Sequence, residues 1–275
     1  MESLPNTKYG LILGASSGFG AATGIALAKR GYNIIGVHLD RSSTMPEVER
    51  VRAEIESHGV TTHFFNVNAA DAGKRGEVLD EVGNLFSENG RGTIQLLLHS
   101  LAFGTLRPLV PSSGEKGVTQ SQLEMTLDVM ANSLVYWTQE IVERGLMGEG
   151  GRILALTSSG SRHVLPNYGP VSAAKSALES YCRQLAFELG DRRISVNAIE
   201  AGVTDTPALR KIPGNEAIIE NARKRNPNKR LTTAEEVAKI IGLIALEEAM
   251  WINGTTIRVD GGESIVELDW RETQA

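Results

Sequence analysis

Cysteine is almost absent from this 275-residue sequence, which contains only Cys182. A single cysteine excludes an intrachain disulfide and any cysteine-cluster metal site, and we expect Cys182 to lie buried in its helix as a small apolar residue. Long hydrophobic runs are lacking, since the longest aliphatic stretch, Ile240–Leu246, is far shorter than the ~20 residues that span a bilayer. Only Met1 to Lys8 precede the first predicted strand, so no secretory signal is expected. These absences predict a cytoplasmic protein.

The sequence also lacks a basic excess, because 28 Lys and Arg face 33 Asp and Glu for a net charge of −5. This balance gives no electrostatic argument for binding nucleic acid or an anionic membrane. There is no repeat, low-complexity linker or long charge block. A hydrophobic content of 41% is ordinary for a soluble protein, so we expect one domain over residues 1–275.

Apolar β-type runs alternate with longer helical patterns along the whole sequence. This alternation predicts an α/β fold of the doubly wound, Rossmann type, with a seven-stranded parallel sheet and helices on both faces. The predicted strands are Tyr9–Leu13, Asn33–Leu39, Thr61–Asn66, Ile94–His99, Arg152–Thr157, Ile194–Ile199 and Thr255–Val259. The predicted helices include Gly20–Arg30, Pro46–His58, Lys74–Phe86, Leu123–Arg144, Ala173–Leu189 and Ala234–Glu247. Two irregular stretches, Gly104–Gln120 and Gly202–Leu231, follow carboxyl ends of strands, where ligands bind in such sheets.

A glycine-rich turn joins the first predicted strand to the first predicted helix. Glycines permit a tight turn and a close approach of the backbone to a pyrophosphate, whose charge a helix N-terminus favours. The position of the turn in the first βαβ unit predicts a dinucleotide site. Its expected residues are Gly14, Ser16, Ser17, Gly18, Phe19 and Gly20.

Asp40 closes the second predicted strand, twenty residues beyond Gly20. An acidic residue there typically accepts hydrogen bonds from the adenosine ribose and repels a 2′-phosphate, which favours NADH. Arg41 follows and could instead bind that phosphate, whereas Ser17 stands where a basic residue would support NADPH. The residues favour NADH and leave NADPH open. The alternative is that Asp40 only caps the next segment.

Tyr168 and Lys175 are seven residues apart in a segment that is predicted to be helical beyond Pro170. A helix turns about 100° per residue, so the two side chains return to within roughly 20° of one another. An ammonium near a phenol favours the phenolate and strengthens it as an acid or as a partner for an oxyanion. The alternative is a surface lysine and a packed tyrosine that never meet.

Three further motifs resemble the short-chain dehydrogenase/reductase family: the spacing Gly14-x3-Gly18-x-Gly20, then Asn197-Ala198-Ile199, and then Val259-Asp260-Gly261-Gly262. Ordinary members carry Tyr-x3-Lys, with a serine thirteen residues before the tyrosine and an asparagine on the preceding helix. Counted from Lys175, the tyrosine position is Val171 and the serine position is Ser158. The asparagine position is Met130.

The departures match a subgroup. The spacing Tyr-x6-Lys resembles the divergent enoyl-acyl-carrier-protein reductases, which reduce the 2,3 double bond of fatty acyl thioesters. His99-Ser100 after the fourth predicted strand is also similar to that subgroup. The patterns Leu106-Arg107-Pro108-Leu109 and Asp205-Thr206-x-Ala208-Leu209 are most similar to its enoyl reductase III branch. The resemblance implies an enoyl thioester reductase of fatty acid or related biosynthesis. A carbonyl reductase of the same family and a non-catalytic NAD(P) sensor remain as alternatives.

The resemblance also implies roles for individual residues. Tyr168 would donate to the thioester oxygen, and Lys175 would bind the nicotinamide ribose. Ser158 is the third catalytic candidate, because it could still serve a carbonyl substrate. The further cofactor contacts are expected at Asn66, Val67, Ser100, Gly202, Thr204 and Thr206. Asn66 is interpreted as an adenine contact or an Asx turn, Thr206 as a carboxamide contact or a loop cap, and His99 as structural.

Partners follow from the resemblance and from one charged cluster. The cluster contains Arg223, Lys224, Arg225, Lys229 and Arg230. It is interpreted either as a solvated helix face or as a docking site for an acidic acyl carrier protein or the phosphates of coenzyme A. Relatives are commonly homotetramers or homodimers built through helices such as Leu123–Arg144. The tail Ser264–Ala275, with Leu268 and Trp270, could add to such an interface or cover the pocket.

Overall fold

All seven strands lie parallel in one sheet. The computed structural model describes residues 7–88 and 92–267. The strands are β1 Thr7–Leu13, β2 Asn33–His38, β3 Thr62–Asn66, β4 Gly92–His99, β5 Arg152–Ser158, β6 Ser195–Ala201 and β7 Thr256–Val259. Their order in the sheet is β3-β2-β1-β4-β5-β6-β7. The predicted Rossmann-type fold is confirmed, with strand ends that differ from the prediction by one or two residues.

Helices cover both faces of this sheet. They are α1 Gly18–Ala28, α2 Met45–Glu56, α3 Ala72–Glu88, α4 Gln120–Leu127, α5 Ser133–Glu143, α6 Gly169–Glu188, α7 Asn215–Arg225 and α8 Ala234–Ile244. Along β1, Leu11 packs into the core with α3, α5 and α6, whereas its neighbour Ile12 packs into the core with α1, α2 and α8. Successive side chains of a strand point to opposite faces, so a strand buried on both faces reads as a continuous apolar run.

The expectation for Cys182 is confirmed. It is a free cysteine buried in α6, with 1% of its surface exposed. Burial raises the pKa of its thiol to about 12, so it packs as a neutral, apolar side chain.

The predicted single helix Leu123–Arg144 is wrong. Helix α4 ends at Leu127, a π-helical turn occupies Asp128–Asn132, and α5 starts at Ser133. The Ser133 hydroxyl donates to the Val129 carbonyl at 2.8 Å and also contacts the His99 ring at 2.9 Å. A side chain that takes up a carbonyl of the turn, and is itself held by a strand residue, stabilises the wider π turn.

The start of α6, the end of α8 and one stretch that was predicted to be irregular also differ from the prediction. Helix α6 begins at Gly169 and not at Ala173, because Pro170 fits the first turn, where no N–H is needed. The stretch Gly202–Leu231 was predicted to be irregular, yet it contains α7, which follows Gly214 at φ 75°. Helix α8 ends at Ile244 and a separate 3-10 turn, Glu247–Ala249, follows it.

Within residues 7–88 and 92–267, no helix combines the length and the apolar character needed to cross a bilayer. In the same ranges, no group of three or more His, Cys, Asp or Glu side chains could hold a metal ion. Leu268 and Trp270 of the tail lie outside the described residues.

Candidate active site

The glycine-rich turn after β1 packs closely against the segment that follows β4. Gly14 has φ 93° and Gly18 has φ 54°, in the left-handed region that favours glycine. A Cβ at Gly14 would lie 2.5 Å from the carbonyl oxygen of Ser100, and a Cβ at Gly20 would collide with the carbonyl of Gly14. The predicted residue Ser100 therefore lies beside this turn, at a distance that leaves no room for a side chain at Gly14.

Helix α1 opens directly from this turn. Ser17 occupies the N-cap position with φ −157°, its side chain makes no capping hydrogen bond, and no acidic residue lies in the first turn. The first N–H groups of a helix lack partners within the helix, and they attract anions. A Cβ at Gly18 would lie 3.4 Å from Thr206 Cγ2, so the turn meets the loop after β6.

The loop after β6 is held by its own hydroxyl groups. Thr204 Oγ1 donates to the Gly202 carbonyl at 3.0 Å, and Thr206 Oγ1 accepts from the Leu209 N–H at 3.2 Å. Both threonines are buried, with 7% and 9% of their surfaces exposed. The structure thus shows the loop-capping role of Thr206, and its contact with a carboxamide stays a prediction.

At the end of β2, Asp40 has protein partners on its backbone and its carboxylate. Asn66 accepts from the Asp40 N–H at 2.9 Å and donates to the Asp40 carbonyl at 3.0 Å. The alternative of an Asx turn at Asn66 is wrong, since its side chain pairs with the backbone of Asp40, 26 residues away in the sequence. The Val67 N–H donates to the His38 carbonyl at 2.8 Å, which leaves its side chain for any adenine contact. Arg41 is exposed, with no side-chain partner among the described residues.

The three predicted catalytic residues lie at one edge of the sheet. Ser158 ends β5, Tyr168 is the N-cap residue of α6, and Lys175 lies two turns into that helix. The Tyr168 hydroxyl is 3.5 Å from Ser158 Oγ. The Lys175 ammonium donates to the Leu156 carbonyl at 2.6 Å, and only 6% of the Lys175 surface is exposed. The alternative of a surface lysine is therefore wrong.

The electrostatics of this trio differ from the expectation. Burial raises the pKa of the Tyr168 phenol, and the hydrogen bond with Ser158 lowers it only in part. Burial also lowers the pKa of Lys175 to about 8. The expectation that the ammonium favours a phenolate is not met, because the lysine faces a β5 carbonyl. Tyr168 is accordingly a neutral phenol, which can donate a hydrogen bond.

An apolar contact fills the position where ordinary members of the resembled family carry tyrosine. Val171 and Met130 are 5% and 2% exposed. A Cβ at Gly104 would lie 2.7 Å from Met130 Sδ and 2.9 Å from Val171 Cγ2, so the two side chains close over the Gly104 backbone. Val171 and Met130 bring no polar group to this position. The phenol comes instead from Tyr168, in the loop after β5.

Comparison with known proteins agrees with this geometry. A family model described as enoyl-(acyl carrier protein) reductase matches residues 14–264. The chain belongs to this family of short-chain dehydrogenases/reductases. This short-chain reductase is therefore an oxidoreductase that binds a nicotinamide cofactor.

Two curated relatives of the reductase are named as an enoyl-acyl-carrier-protein reductase and a cyclohexenylcarbonyl-CoA reductase. It is 28% identical over 270 residues to an enoyl-acyl-carrier-protein reductase (NADH) of Rhizobium meliloti. The matched region covers 98% of this chain and 96% of the relative. It is 30% identical over 269 residues to 1-cyclohexenylcarbonyl-CoA reductase of Streptomyces collinus, which covers 96% and 90%.

Two solved structures share the fold of the reductase. A short-chain dehydrogenase from Burkholderia cenocepacia in complex with NADP has a TM-score of 0.80 at 26% identity, covering 94% of this chain and 98% of that one. A promiscuous reductase that catalyses keto-reduction in lugdunomycin biosynthesis has a TM-score of 0.79 at 27% identity, covering 95% and 100%.

The residues of the reductase fit a nicotinamide dinucleotide. The turn at Gly14 and Gly18 and the free N–H groups of α1 suit a pyrophosphate. The Lys175 ammonium has three donors and uses one on the Leu156 carbonyl, which leaves two for the hydroxyls of a ribose. The individual contacts of these residues with the cofactor stay predictions.

His99 holds the π turn of the reductase in place. Because Ser133 donates to Val129, its oxygen accepts from Nε2–H of His99 at 2.9 Å. Nδ1 of His99 is buried and has no hydrogen-bond partner in the described part of the chain. Burial, with the charge of Lys175, lowers the pKa of His99 to about 3, so the ring is neutral. These contacts agree with the structural role that the sequence predicts.

An ion pair that the sequence analysis did not anticipate joins β6 to the loop after β5. Glu200 on β6 is 1% exposed and lies 2.7 Å from Arg162, which belongs to the segment between Ser158 and Tyr168. Arg258 on β7 lies 3.6 Å from the same carboxylate. The sequence contains a signal for this ion pair, because Glu200 lies inside an apolar strand and a buried carboxylate needs a partner.

A second contact that the sequence analysis did not anticipate joins Asn167, the residue before Tyr168, to the loop after β4. This loop forms a small hairpin, with a β-bridge between Ser112 and Glu115. Asn167 has φ 63°, and its Nδ2 donates to Glu115 Oε1 at 3.2 Å. The hairpin thereby holds the residue that directly precedes Tyr168.

Proposed function

We propose that this reductase reduces the 2,3 double bond of an enoyl thioester with NAD(P)H, with NADH favoured. The observation that carries the proposal is the position of the phenol. Tyr168 meets Ser158 from the start of α6, while Val171 and Met130 occupy the positions of the ordinary tyrosine and asparagine. The relatives named for enoyl-acyl-carrier-protein and cyclohexenylcarbonyl-CoA reduction support it.

The reaction needs a donor aimed at the thioester oxygen. A reduced nicotinamide, when bound, supplies a hydride for C3 of the substrate. Negative charge then gathers on the thioester oxygen as an enolate, and preorganised donors that face such an oxygen lower the barrier. The buried, neutral Tyr168 phenol is that donor, and Ser158 lies at 3.5 Å to orient it.

The spacing between Tyr168 and Lys175 suits this chemistry. In carbonyl reduction, hydride reaches the carbon that carries the oxygen. In enoyl reduction, the thioester oxygen is three bonds away from C3, the carbon that accepts the hydride. A tyrosine about one helical turn further from the lysine than in ordinary members suits an oxygen displaced in this way. Lys175 holds the nicotinamide ribose in both cases.

Exposed apolar side chains support an acyl substrate. They lie in the loops at the carboxyl edge of the sheet and in the segment after β7: Phe103, Leu109, Val110, Val164 and Ile265. A Cβ at Gly169 would lie 2.8 Å from Leu109 Cγ, which puts this leucine beside the start of α6. Ligand sites of this kind are largely apolar with a few convergent polar groups.

A carbonyl substrate is the second candidate. Ser158 keeps the serine position of the ordinary family members, and a structural neighbour at 27% identity catalyses keto-reduction. A silent nucleotide sensor is a weaker candidate, since the chain brings Tyr168, Ser158 and Lys175 to one edge of the sheet.

For an acyl carrier protein, the basic cluster offers fewer free cations than the sequence suggests. Arg225 Nε donates to the Val266 carbonyl at 2.8 Å, and Arg230 pairs with Glu236 at 2.5 Å. Lys224 pairs with Glu220 at 2.6 Å, and Lys229 Nζ donates to the Lys224 carbonyl at 3.1 Å. We therefore assign docking to the exposed Arg223. A homotetramer or homodimer, a cytoplasmic location and a role in fatty acid biosynthesis remain part of the proposal.

The test is the consumption of reduced nicotinamide, followed by absorbance. The purified protein receives an enoyl-CoA, a 3-ketoacyl-CoA or no acyl substrate, each with NADH and with NADPH. We expect consumption only with the enoyl-CoA, and faster with NADH. Consumption only with the 3-ketoacyl-CoA would replace the proposal with a carbonyl reductase. Nucleotide binding without consumption of any substrate would leave the sensor.

A further inference from the structure

His38 is a buried polar residue whose contact the proposed reaction does not use. It is the last residue of β2, and only 2% of its side chain is exposed. Its Nδ1 lies 2.9 Å from Oδ2 of Asp40, whose side chain is 16% exposed. An ionised carboxylate only accepts hydrogen bonds, so Nδ1 carries the proton and donates.

Phe64 and Asn66 hold the two residues of this hydrogen bond, His38 and Asp40, in place. The His38 ring lies against Phe64 of β3, with ring centroids 5.9 Å apart. Asn66 binds both the N–H and the carbonyl of Asp40, so it continues the pairing of β2 with β3 beyond the last paired residues, His38 and Asn66. The backbone of Asp40 is therefore held by Asn66 and its side chain by His38.

The carboxylate of Asp40 is thus ionised and oriented before any ligand arrives. Burial raises its pKa, but hydrogen bonds from Ser16, Thr44 and His38 outweigh burial, and the pKa lies below its ordinary value. Ser16 belongs to the glycine-rich turn, so Asp40 also contacts the segment that suits a pyrophosphate. A fixed anion at this point favours hydroxyl donors and opposes a phosphate.

We infer that His38 is a positioning residue for the adenosine ribose, and that it makes the site select NADH over NADPH by orienting the Asp40 carboxylate. This inference rests on the nucleotide site of the proposed function. Without the histidine donor, the carboxylate loses one of the partners that orient it, and each ribose hydrogen bond then costs more of the ordering of that side chain. The Asp40 charge would remain, so the affinity for NADPH would change less than the affinity for NADH.

His38→Phe is the informative variant, because it keeps an aromatic ring against Phe64 and removes the donor. His38→Asn is the matched rescue, since its amide can donate to a carboxylate. Dissociation constants for NADH and NADPH are measured by nucleotide fluorescence without acyl substrate, for both variants and for His38→Phe in an Asp40→Ala background. Thermal unfolding of each protein shows whether the fold is retained.

We expect His38→Phe to weaken NADH binding about fivefold to tenfold, with NADPH binding changed by less than about twofold. His38→Asn should recover part of the NADH affinity, and His38→Phe should have no effect once Asp40 is alanine. An equal loss for both nucleotides, or the same loss without the Asp40 carboxylate, would overturn the inference. If His38→Phe does not fold, His38→Leu is measured in its place, because it also removes the donor, and an unchanged NADH to NADPH ratio in that variant would overturn the inference.

The outcome is separable from that of the proposed reaction. The measurements contain no acyl substrate, so a carbonyl reductase would give the same result for His38. Consumption of an enoyl-CoA by the wild-type protein, with an unchanged nucleotide ratio in the His38 variants, would overturn only the inference.

Discussion

Val171 lies against the backbone of Gly104, in the position where ordinary short-chain dehydrogenases/reductases carry their tyrosine. A Cβ at Gly104 would lie 2.9 Å from Val171 Cγ2. The contact is possible only because residue 104 has no side chain and residue 171 is small. The loop after β4 therefore lies close to the start of α6. The phenol of the site comes from Tyr168 and not from residue 171.

We predict that Gly104→Ala destabilises the protein by about 1–3 kcal/mol, because the new methyl group overlaps Met130, Thr126 and Val171. Urea unfolding measures the change in free energy. The matched control is Gly83→Ala in α3, where a Cβ meets nothing within 4 Å and should be neutral or slightly stabilising. Adding Val171→Ala should relieve part of the cost of Gly104→Ala. If that second change adds its own full cost instead, the two residues are not in contact.

Tyr168→Phe tests the donor to the thioester oxygen. We predict a fall in kcat of about 100-fold or more with an enoyl-CoA, because a preorganised donor to a developing oxyanion is lost. The affinity for the nucleotide should stay nearly intact, as the phenol is expected to face the substrate. Steady-state kinetics and nucleotide binding measure the two effects. Unchanged turnover would remove Tyr168 from the mechanism. Ser158→Ala should cost less, because it acts on the phenol from 3.5 Å.

The sheet, the helical layers and the glycine-rich turn are predictable from sequence because their signals are local. Buried parallel strands read as apolar runs such as Leu11-Ile12-Leu13, and a strand that enters a glycine-rich helix start marks the nucleotide turn. The same local signals predict one helix over Leu123–Arg144, and they do not show the π turn that divides it at Asp128–Asn132.

The rest depends on contacts between distant residues. The π turn is stabilised by the contact of His99 with Ser133, 34 residues apart. Asn66 braces Asp40 from 26 residues away, so its local sequence suggests only a turn or a ligand contact. The helical spacing brings Tyr168 and Lys175 to one edge of the sheet, but the carbonyl of Leu156 decides where the ammonium points.

From the lowered pKa of Lys175, we predict that nucleotide binding depends on pH. Burial lowers its pKa to about 8, so it is an ammonium below that pH and an amine above it. The amine has one donor fewer and no charge, hence affinity for the nucleotide should fall as pH rises from about 7 to about 9. Titrations of the free enzyme measure this effect. Lys175→Arg should bind more weakly at every pH but without that fall, because a guanidinium stays protonated. An equal fall in both proteins would assign the titration to another group.

Arg223 predicts a difference between two forms of the acyl substrate. Arg223→Glu should raise KM about threefold to tenfold for an enoyl group on an acyl carrier protein and leave KM for the enoyl-CoA within about twofold. Added salt should raise the wild-type KM for the carrier-protein substrate in the same direction. The control is Arg50→Glu on α2, an exposed arginine outside the cluster. Equal effects of the two variants would leave Arg223 as an ordinary surface charge.

His99 predicts an acid-sensitive stability. Burial lowers its pKa from 6.5 to about 3 in the folded protein. Between these values the unfolded chain binds a proton that the folded chain does not, so the free energy of unfolding falls as pH falls, by up to about 1.4 kcal/mol per pH unit. His99→Gln can still donate to Ser133 but does not titrate. The variant should be less stable near neutral pH, yet lose stability less steeply on acidification. Urea unfolding at several pH values compares the slopes of the variant and the wild type. A slope for His99→Gln as steep as that of the wild type would show that other groups carry the acid sensitivity.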